Sequence, residues 1–188
     1  NGEILFPELL KIALIHYQFE TIHPFLDGNG RVGRLMITLY LVSKGILKKP
    51  VLYLSDFLET HRSHYYDNLM HVRTKNDISQ WFKFFLVGVI ETADKGIRTF
   101  DSILQLQKQV DQKIKTLGRG VGNAQKVTEY LYYKPLINAE KVSEIAGVSS
   151  PSAYKLIGNL EGLGMIREIT GGQRGRLYLF EEYMKLFQ

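Results

Sequence analysis

The stretch HPFLDGNGRVGR, residues 23–34, joins two apolar segments and decides how the N-terminal half of the chain folds. Before it, residues 7–22 are apolar on most sides, which predicts a helix that is buried almost all round. After it, a second apolar helix is predicted over about residues 31–42. Pro24 and the glycine-rich residues 27–30 interrupt the helical pattern between them. We therefore expect two core helices joined by one glycine-rich turn.

The residue types in this turn suit a polyphosphate. Gly28, Asn29 and Gly30 are small or tolerate unusual backbone angles, so they can aim backbone N–H groups at an anion where the second helix begins. Arg31 and Arg34 follow three residues apart in the first turn of that helix. Their guanidinium groups can hold phosphate oxygens that the backbone amides do not reach.

Two further side chains of the turn predict chemistry beside the phosphates. Asp27 lies at the edge of the anion site, where bound phosphates would repel a lone carboxylate unless a divalent cation lies between them. Mg²⁺ is the simplest such bridge. His23 ends the first helix, and histidine is the residue type whose intrinsic pKa of about 6.5 suits a general base. An acceptor hydroxyl could lose its proton there.

Structural interpretations compete with these functional ones. Residues 28–33 also match G-x-G-x-x-G, the dinucleotide-binding pattern, but that pattern requires a preceding strand and a helix is predicted here. His16 lies in the middle of an apolar helix and is interpreted as a structural core residue. For the other three histidines, a solvated or capping role is favoured over catalysis; they are His61, His64 and His71.

Residues 23–34 resemble the signature of the Fic family, which runs His-Pro-Phe, any residue, Asp or Glu, Gly-Asn-Gly-Arg, two residues, Arg. Every fixed position matches. The resemblance extends over about residues 7–100, including IHYQFETIHPF at 15–25, HYYDNL at 64–69 and WFKFF at 81–85. It implies a Fic-type helical bundle.

The resemblance also implies an activity, because family members with the full motif are typically protein adenylyltransferases. They move AMP from ATP to a Ser, Thr or Tyr hydroxyl of a target protein and release pyrophosphate. The implied roles are a proton acceptor (His23), a Mg²⁺ ligand (Asp27), an anion hole (Gly28, Asn29, Gly30), a grip on the outer phosphates (Arg31, Arg34) and an adenosine pocket (Tyr66, with Arg73 further along). Two alternatives stay open: transfer of another phosphate-containing group, and a DNA-binding or toxin–antitoxin regulator whose Fic site senses a nucleotide.

Two elements of the family are not found in this sequence. The β-hairpin flap that aligns the target segment normally precedes the first helix, and the six residues before Pro7 are too few for it. The inhibitory helix carries Ser or Thr, three residues, Glu, then Gly or Asn; residues 55–59 come close but are followed by Thr60. We expect that helix upstream of Asn1 or on another chain.

The fold class predicted for the whole chain is mainly α, a Fic-type bundle followed by a small winged-helix domain. The predicted division is a catalytic core over residues 1–100, a connecting helix and linker over 101–119, and a winged helix over 120–188. Further helices are predicted in the core (about 55–73 and 78–96), in the connection (101–117) and in the winged helix (124–133, 139–146 and 151–163). A hairpin with strands over 165–170 and 176–180 completes the winged helix.

The predicted recognition helix, PSAYKLIGNLEGL at residues 151–163, carries one basic residue, Lys155, and two arginines lie on the wing, Arg174 and Arg176. A helix that reads a DNA groove usually offers more phosphate contacts. Protein contact or dimerisation is therefore favoured over DNA binding for residues 120–188, and a homodimer stays open.

Composition excludes several other classes of protein. The 188 residues are 45% hydrophobic and 23% charged, which is typical of a folded protein and not of a disordered one. No cysteine is present, so a disulfide framework and a thiolate zinc site are excluded. No run of 18 apolar residues predicts a membrane span, and cytoplasmic localisation is the default expectation. The net charge of +5 is compatible with phosphorylated partners.

Overall fold

A computed structural model of the chain describes residues 6–172 and 174–187, and the fold is mainly helical with one small sheet. The helices are α1 (Glu8–Ile22), α2 (Asn29–Ser43), α3 (Leu54–Thr60), α4 (Arg62–Lys75), α5 (Ile78–Lys115), α6 (Val121–Tyr133), α7 (Ala139–Ala146), α8 (Ser150–Gly162) and α9 (Glu181–Lys185). The strands are β1 (Leu136–Ile137), β2 (Arg167–Glu168) and β3 (Tyr178–Leu179). The predicted mainly-α fold class is confirmed. The chain divides into two compact units, Asn1–Ile97 and Arg98–Gln188.

The first unit packs α1 to α4 and the start of α5 around one apolar core. Ile12 of α1, Ile37 of α2 and Trp81 and Phe85 of α5 are fully buried in it. The Trp81 indole Nε1 donates a hydrogen bond of 2.9 Å to the carbonyl of Ala13, which satisfies the one polar atom of this large side chain. The core therefore fixes α1 against α5, and α2 packs beside α1.

The helix predicted over residues 55–73 is two helices. At His61 the backbone leaves helical geometry, with φ −105° and ψ 34°, so α3 ends at Thr60 and α4 starts at Arg62. Leu54, Phe57 and Leu58 of α3 are buried, which holds this short helix against the core. Because of this break, α4 runs in a different direction from α3.

The helices predicted over 78–96 and 101–117 are one continuous helix, α5. Gly96 suggested an end to the first of them, but glycine costs a helix only about 1 kcal/mol relative to alanine. The residues directly after it, 97–100, contain no proline and no other helix breaker. The connecting helix is therefore the C-terminal part of α5, and Leu106, Val110 and Ile114 pack into the core of the second unit.

The second unit consists of helices α6 to α9, the end of α5 and a three-stranded antiparallel sheet in the order β1-β3-β2. Leu136 and Arg167 both pair with Leu179 across the central strand. The hairpin strands are shorter than expected, and the two-residue β1 is a strand that the sequence analysis did not predict. The Asn138 side chain caps α7 by accepting a hydrogen bond from the backbone N–H of Lys141 at 2.9 Å. The three predicted helices and the hairpin are present, and α9 is a further short helix that the sequence analysis did not predict. The assignment as a winged helix stays a prediction.

Across residues 6–172 and 174–187, no helix combines the length and the apolar character needed to cross a bilayer.

Candidate active site

The turn between α1 and α2 is held by backbone geometry at both ends. His23 adopts left-handed angles, φ 50° and ψ 59°, and its N–H closes α1 by donating to the carbonyl of Phe19 at 2.9 Å. Gly28 precedes α2 with φ 85°, a conformation that side chains other than glycine rarely adopt. The helix therefore begins at Asn29, two residues earlier than expected. Its first-turn N–H groups have no partner within the helix and are free to meet an anion.

The side chain of Asn29 closes the turn and does not face outward. It is only 2% exposed. Its Oδ1 accepts a hydrogen bond from the N–H of Phe25 at 2.9 Å, and its Nδ2 donates to the carbonyl of the same residue. Asn29 therefore shapes the predicted anion hole, to which it can contribute its backbone N–H.

The guanidinium groups of Arg31 and Arg34 lie over the two glycines of the turn. A methyl group added at Gly28 would lie 3.5 Å from Nη2 of Arg31, and one added at Gly30 would lie 3.1 Å from Nη1 of Arg34. Arg31 also donates to the Asp27 carboxylate at 3.2 Å, although both side chains are largely exposed. An exposed pair of this kind contributes little stability, so both groups can exchange partners when an anion or a cation binds.

A cavity of about 240 Å³ opens beside this turn. Its walls come from the turn and α2 (Asp27, Gly28, Gly30, Arg31, Arg34) and from α3 and α4 (Leu58, Glu59, Arg62, Tyr65, Tyr66). Six of the eight predicted site residues therefore line one cavity. His23 and Asn29 belong to the same turn but do not line it. A second cavity of about 380 Å³, between α2 and residues 50–55, shares only the two arginines.

The wall formed by α4 includes Tyr66, the predicted adenosine residue. Tyr66 is 51% exposed, and the Arg62 guanidinium lies 5.9 Å from the centre of its ring. Arg73 does not line either cavity described here. The sequence analysis did not assign Arg62, Glu59 or Tyr65 to the site. Arg62 lies four residues before Tyr66 on α4, a spacing that could have placed these two side chains on one helix face. Glu59 lies on α3, before the break at His61, so helical spacing gave no signal for it.

Beneath the turn lies a buried polar cluster of His16, Glu20 and Tyr65. The imidazole of His16 is fully buried and contacts the carbonyl of Gly33 and the hydroxyl of Tyr65. Burial lowers the pKa of His16 to about 4, so the ring is neutral near pH 7. Burial also raises the pKa of Tyr65. His16 is buried, as its position in an apolar helix predicted, and it lies directly below the site.

Glu20 lies next to His16 in this cluster. Its Oε1 is buried and makes no hydrogen bond to any residue that the structure describes. A methyl group added at Gly33 would lie only 2.5 Å from this oxygen. Desolvation raises the pKa of the Glu20 carboxyl, while the charges of His23 and Arg34 oppose that rise. Glu20 is thus an acidic group beneath the site, close to the guanidinium of Arg34.

The donor set of the site suits a magnesium ion better than a metal with several protein ligands. Within residues 6–172 and 174–187, no three side chains of His, Asp or Glu form a group that could hold a metal. Asp27 is a single exposed carboxylate at the rim of the anion site. Mg²⁺ is commonly bound by one or two carboxylates together with the phosphates of a substrate, which is the donor set that this turn can offer.

Comparisons with known proteins agree with the motif. Residues 4–41 match the Fic/DOC family. The chain is 31% identical over 158 residues to a protein of Aedes aegypti named protein adenylyltransferase Fic, covering 81% of this chain and 26% of that protein. It is 54% identical over 37 residues to a probable protein adenylyltransferase of Aquifex aeolicus, covering 20% of this chain and 12% of that one.

A Fic family protein from Desulfovibrio desulfuricans G20, known from a crystal structure, matches 95% of this chain with 21% sequence identity and a TM-score of 0.48. The match covers 50% of that protein. This chain spans about a quarter or less of the length of the curated relatives named above. The segment that matches the Fic/DOC family, residues 4–41, contains α1, the whole glycine-rich turn and most of α2.

Proposed function

We propose that this chain transfers AMP from ATP to a hydroxyl group of a target protein. The observation that carries the proposal is the start of α2, where free backbone N–H groups and the guanidinium groups of Arg31 and Arg34 surround one cavity beside Gly28 and Gly30. Fixed positive charge and unpartnered N–H groups at a helix start bind phosphates. The relatives named protein adenylyltransferase support AMP as the group transferred.

The proposed reaction is a displacement at the α-phosphorus of ATP. The hydroxyl oxygen of a Ser, Thr or Tyr side chain forms a bond to that phosphorus, and the bond from phosphorus to the bridging oxygen of the β-phosphate breaks. Pyrophosphate leaves with the electron pair of that bond. His23, exposed at the end of α1, takes the proton of the hydroxyl.

Two further groups would prepare the nucleotide. Asp27 would hold Mg²⁺ against the phosphates, and the bound ion would supply charge neutralisation for the phosphate oxygens. Tyr66, half-exposed at the cavity wall with Arg62 over its ring, offers an aromatic face on which a nucleobase can stack. Arg31 and Arg34 would then hold the outer phosphates.

The test is intact-protein mass spectrometry of the chain and of added target proteins from a cell lysate, after incubation with ATP and Mg²⁺. We expect an AMP-sized increment that His23→Ala abolishes. The matched control is His64→Ala, because His64 is exposed on α4 and lines neither described cavity. A phosphate-sized increment would replace AMP transfer by phosphate transfer. Tight ATP binding with no adduct on any protein would favour the nucleotide-sensing alternative.

The regulator alternative, in which residues 120–188 bind DNA, is not the function that we propose. On the exposed side of α8, Lys155 is the one basic residue. On the wing, Arg176 uses its Nε–H to donate to the carbonyl of Gly172 at 2.8 Å, so part of its donor capacity stays within the turn. The predicted recognition helix and wing thus offer Lys155, Arg174 and the remaining donors of Arg176, fewer phosphate contacts than a groove-reading domain usually has.

A further inference from the structure

One imidazole joins the three helices on which the proposed nucleotide site is built. His16 lies in the middle of α1 and is fully buried. Its Nδ1 lies 3.1 Å from the carbonyl oxygen of Gly33 in α2, and its Nε2 lies 3.0 Å from the hydroxyl of Tyr65 in α4. Both ring nitrogens are therefore engaged, each by a different helix.

The partners of His16 fix the direction of both hydrogen bonds. A carbonyl oxygen can only accept, so Nδ1 of His16 carries the hydrogen and donates to Gly33. The buried ring is neutral, so Nε2 has a lone pair and must accept. The hydroxyl of Tyr65 therefore donates to Nε2. The plane of the imidazole is held as well, since the indole of Trp81 stacks on it at 6.0 Å between ring centres and 18° between planes.

The two partners of His16 lie in, or directly next to, the walls of the 240 Å³ cavity. Gly33 directly precedes Arg34, one of the two guanidinium groups over the phosphate site. Tyr65 lines the cavity from α4, and its ring lies 5.1 Å from that of Tyr66. The imidazole comes this close to α2 because Gly33 has no side chain: an added methyl group would lie 3.2 Å from Cε1 of His16.

We propose that His16 is a positioning residue for the nucleotide, and that it sets the distance between the phosphate-binding start of α2 and the tyrosine wall of α4. It does not touch the ligand. A ligand that spans both walls needs this distance, whereas a ligand that occupies only the start of α2 does not. The inference rests on the proposed function, since it takes a nucleotide to be the ligand that spans the cavity.

Three variants remove selected groups from the hydrogen-bonded chain that runs from Gly33 through His16 to Tyr65. Tyr65→Phe deletes only the hydroxyl and keeps the aromatic wall. His16→Asn keeps a donor close to the position of Nδ1, for Gly33, and removes the acceptor that Tyr65 uses. The double variant combines both changes. His64→Asn, at an exposed position on α4, is the matched control.

The measurement is calorimetric titration of each variant with ATP and, separately, with inorganic tripolyphosphate, both in Mg²⁺. We expect Tyr65→Phe and His16→Asn each to weaken ATP binding about tenfold, the loss typical of one hydrogen bond, and to change tripolyphosphate binding less than about twofold. The double variant should weaken ATP binding by about the same tenfold, because the two changes remove the same bond. His64→Asn should change neither.

Several results would overturn the inference. Equal weakening for both ligands, or a reduced number of binding sites, would show a loss of folded protein and not of positioning. Additive losses in the double variant would show that the two residues act separately. Nitrogen-15 spectra of the wild-type ring supply a readout without ligand, and a proton on Nε2 would contradict the bond directions above. Wild-type protein that binds tripolyphosphate but not ATP would instead refute the proposed function.

Discussion

Lowering the pH should reduce the free energy of unfolding of the first unit, and His16 should contribute a large part of this reduction. In the folded chain this imidazole is buried and neutral, with its pKa lowered to about 4. In the unfolded chain the pKa of the same imidazole is about 6.5. Between these two values the unfolded state binds a proton that the folded state does not. The stabilising contribution of the neutral ring is therefore fully present above pH 6.5 and is lost as the pH falls towards 4.

The size of the effect follows from the two pKa values. They differ by about 2.5 units, and each unit corresponds to about 1.36 kcal/mol, so the free energy of unfolding should fall by about 3 kcal/mol across this range. That is a large share of the stability of an ordinary domain, which is about 5–15 kcal/mol. The change should thus be visible in denaturation curves.

The chain contains its own reporter for this experiment. Trp81 is the single tryptophan, is fully buried and stacks on His16, so its fluorescence follows the unfolding of the first unit. Urea unfolding would be recorded at intervals from pH 7 to pH 4 for the wild type and for His16→Asn, with His64→Asn as control. Carboxyl groups titrate in all three proteins, so the difference between curves isolates His16. A difference that stays constant across this pH range would refute the assigned burial and bonding of the ring.

Three further changes test the packing around this cluster and in the second unit. Gly33→Ala should lower the free energy of unfolding by about 1–2 kcal/mol, because the added Cβ would lie 2.5 Å from Oε1 of Glu20. The control Gly96→Ala has open space around the added Cβ and should raise the free energy of unfolding by up to about 1 kcal/mol in the same urea experiment. Glu20→Gln should be more stable than the wild type at pH 7 and should show a smaller gain near pH 4. Burial raises the pKa of the Glu20 carboxyl, so the stability that the protonated carboxyl contributes is lost as the pH rises through that pKa. A variant less stable than the wild type at pH 7 would contradict this. Leu160→Ala, fully buried in the second unit, should cost about 2–5 kcal/mol in hydrogen exchange of α6 to α8, whereas Leu136→Ala, at 39% exposure, should cost far less.

The part of the site that the sequence predicted is the part whose geometry is local. Residues 27–34 are consecutive, and a turn followed by a helix brings their backbone and side chains together without help from the rest of the chain. The opposite wall depends on tertiary packing: Arg62 and Glu59 reach the cavity only because the chain bends at His61. No breaker residue in the sequence marks that bend, so the prediction ran one helix through it.

The missed features elsewhere have the same physical origin. A two-residue strand such as β1 is too short for an alternating pattern, and it exists because β3 pairs with it from 42 residues further along. The unbroken helix α5 depends on burial in both units, which outweighs the local cost of Gly96. Local rules therefore predicted the turn and the class of the fold, and long-range packing decided the helix breaks.

His16 illustrates why a buried polar residue can be read as structural in a sequence and yet bear on the site. Its partners lie 17 and 49 residues away, so nothing in the sequence near His16 indicates them. The residue at position 16 must offer a hydrogen-bond donor and an acceptor on opposite sides of one rigid group. The site is fully buried, so a charged side chain would be unfavourable there. Asparagine or glutamine can replace one nitrogen but not hold both partners at this spacing, and a protonated ring would add a second cation near Arg34. A neutral imidazole meets all of these requirements, so the pairing with Gly33 and Tyr65 explains the residue type as well as its place beneath the phosphate site.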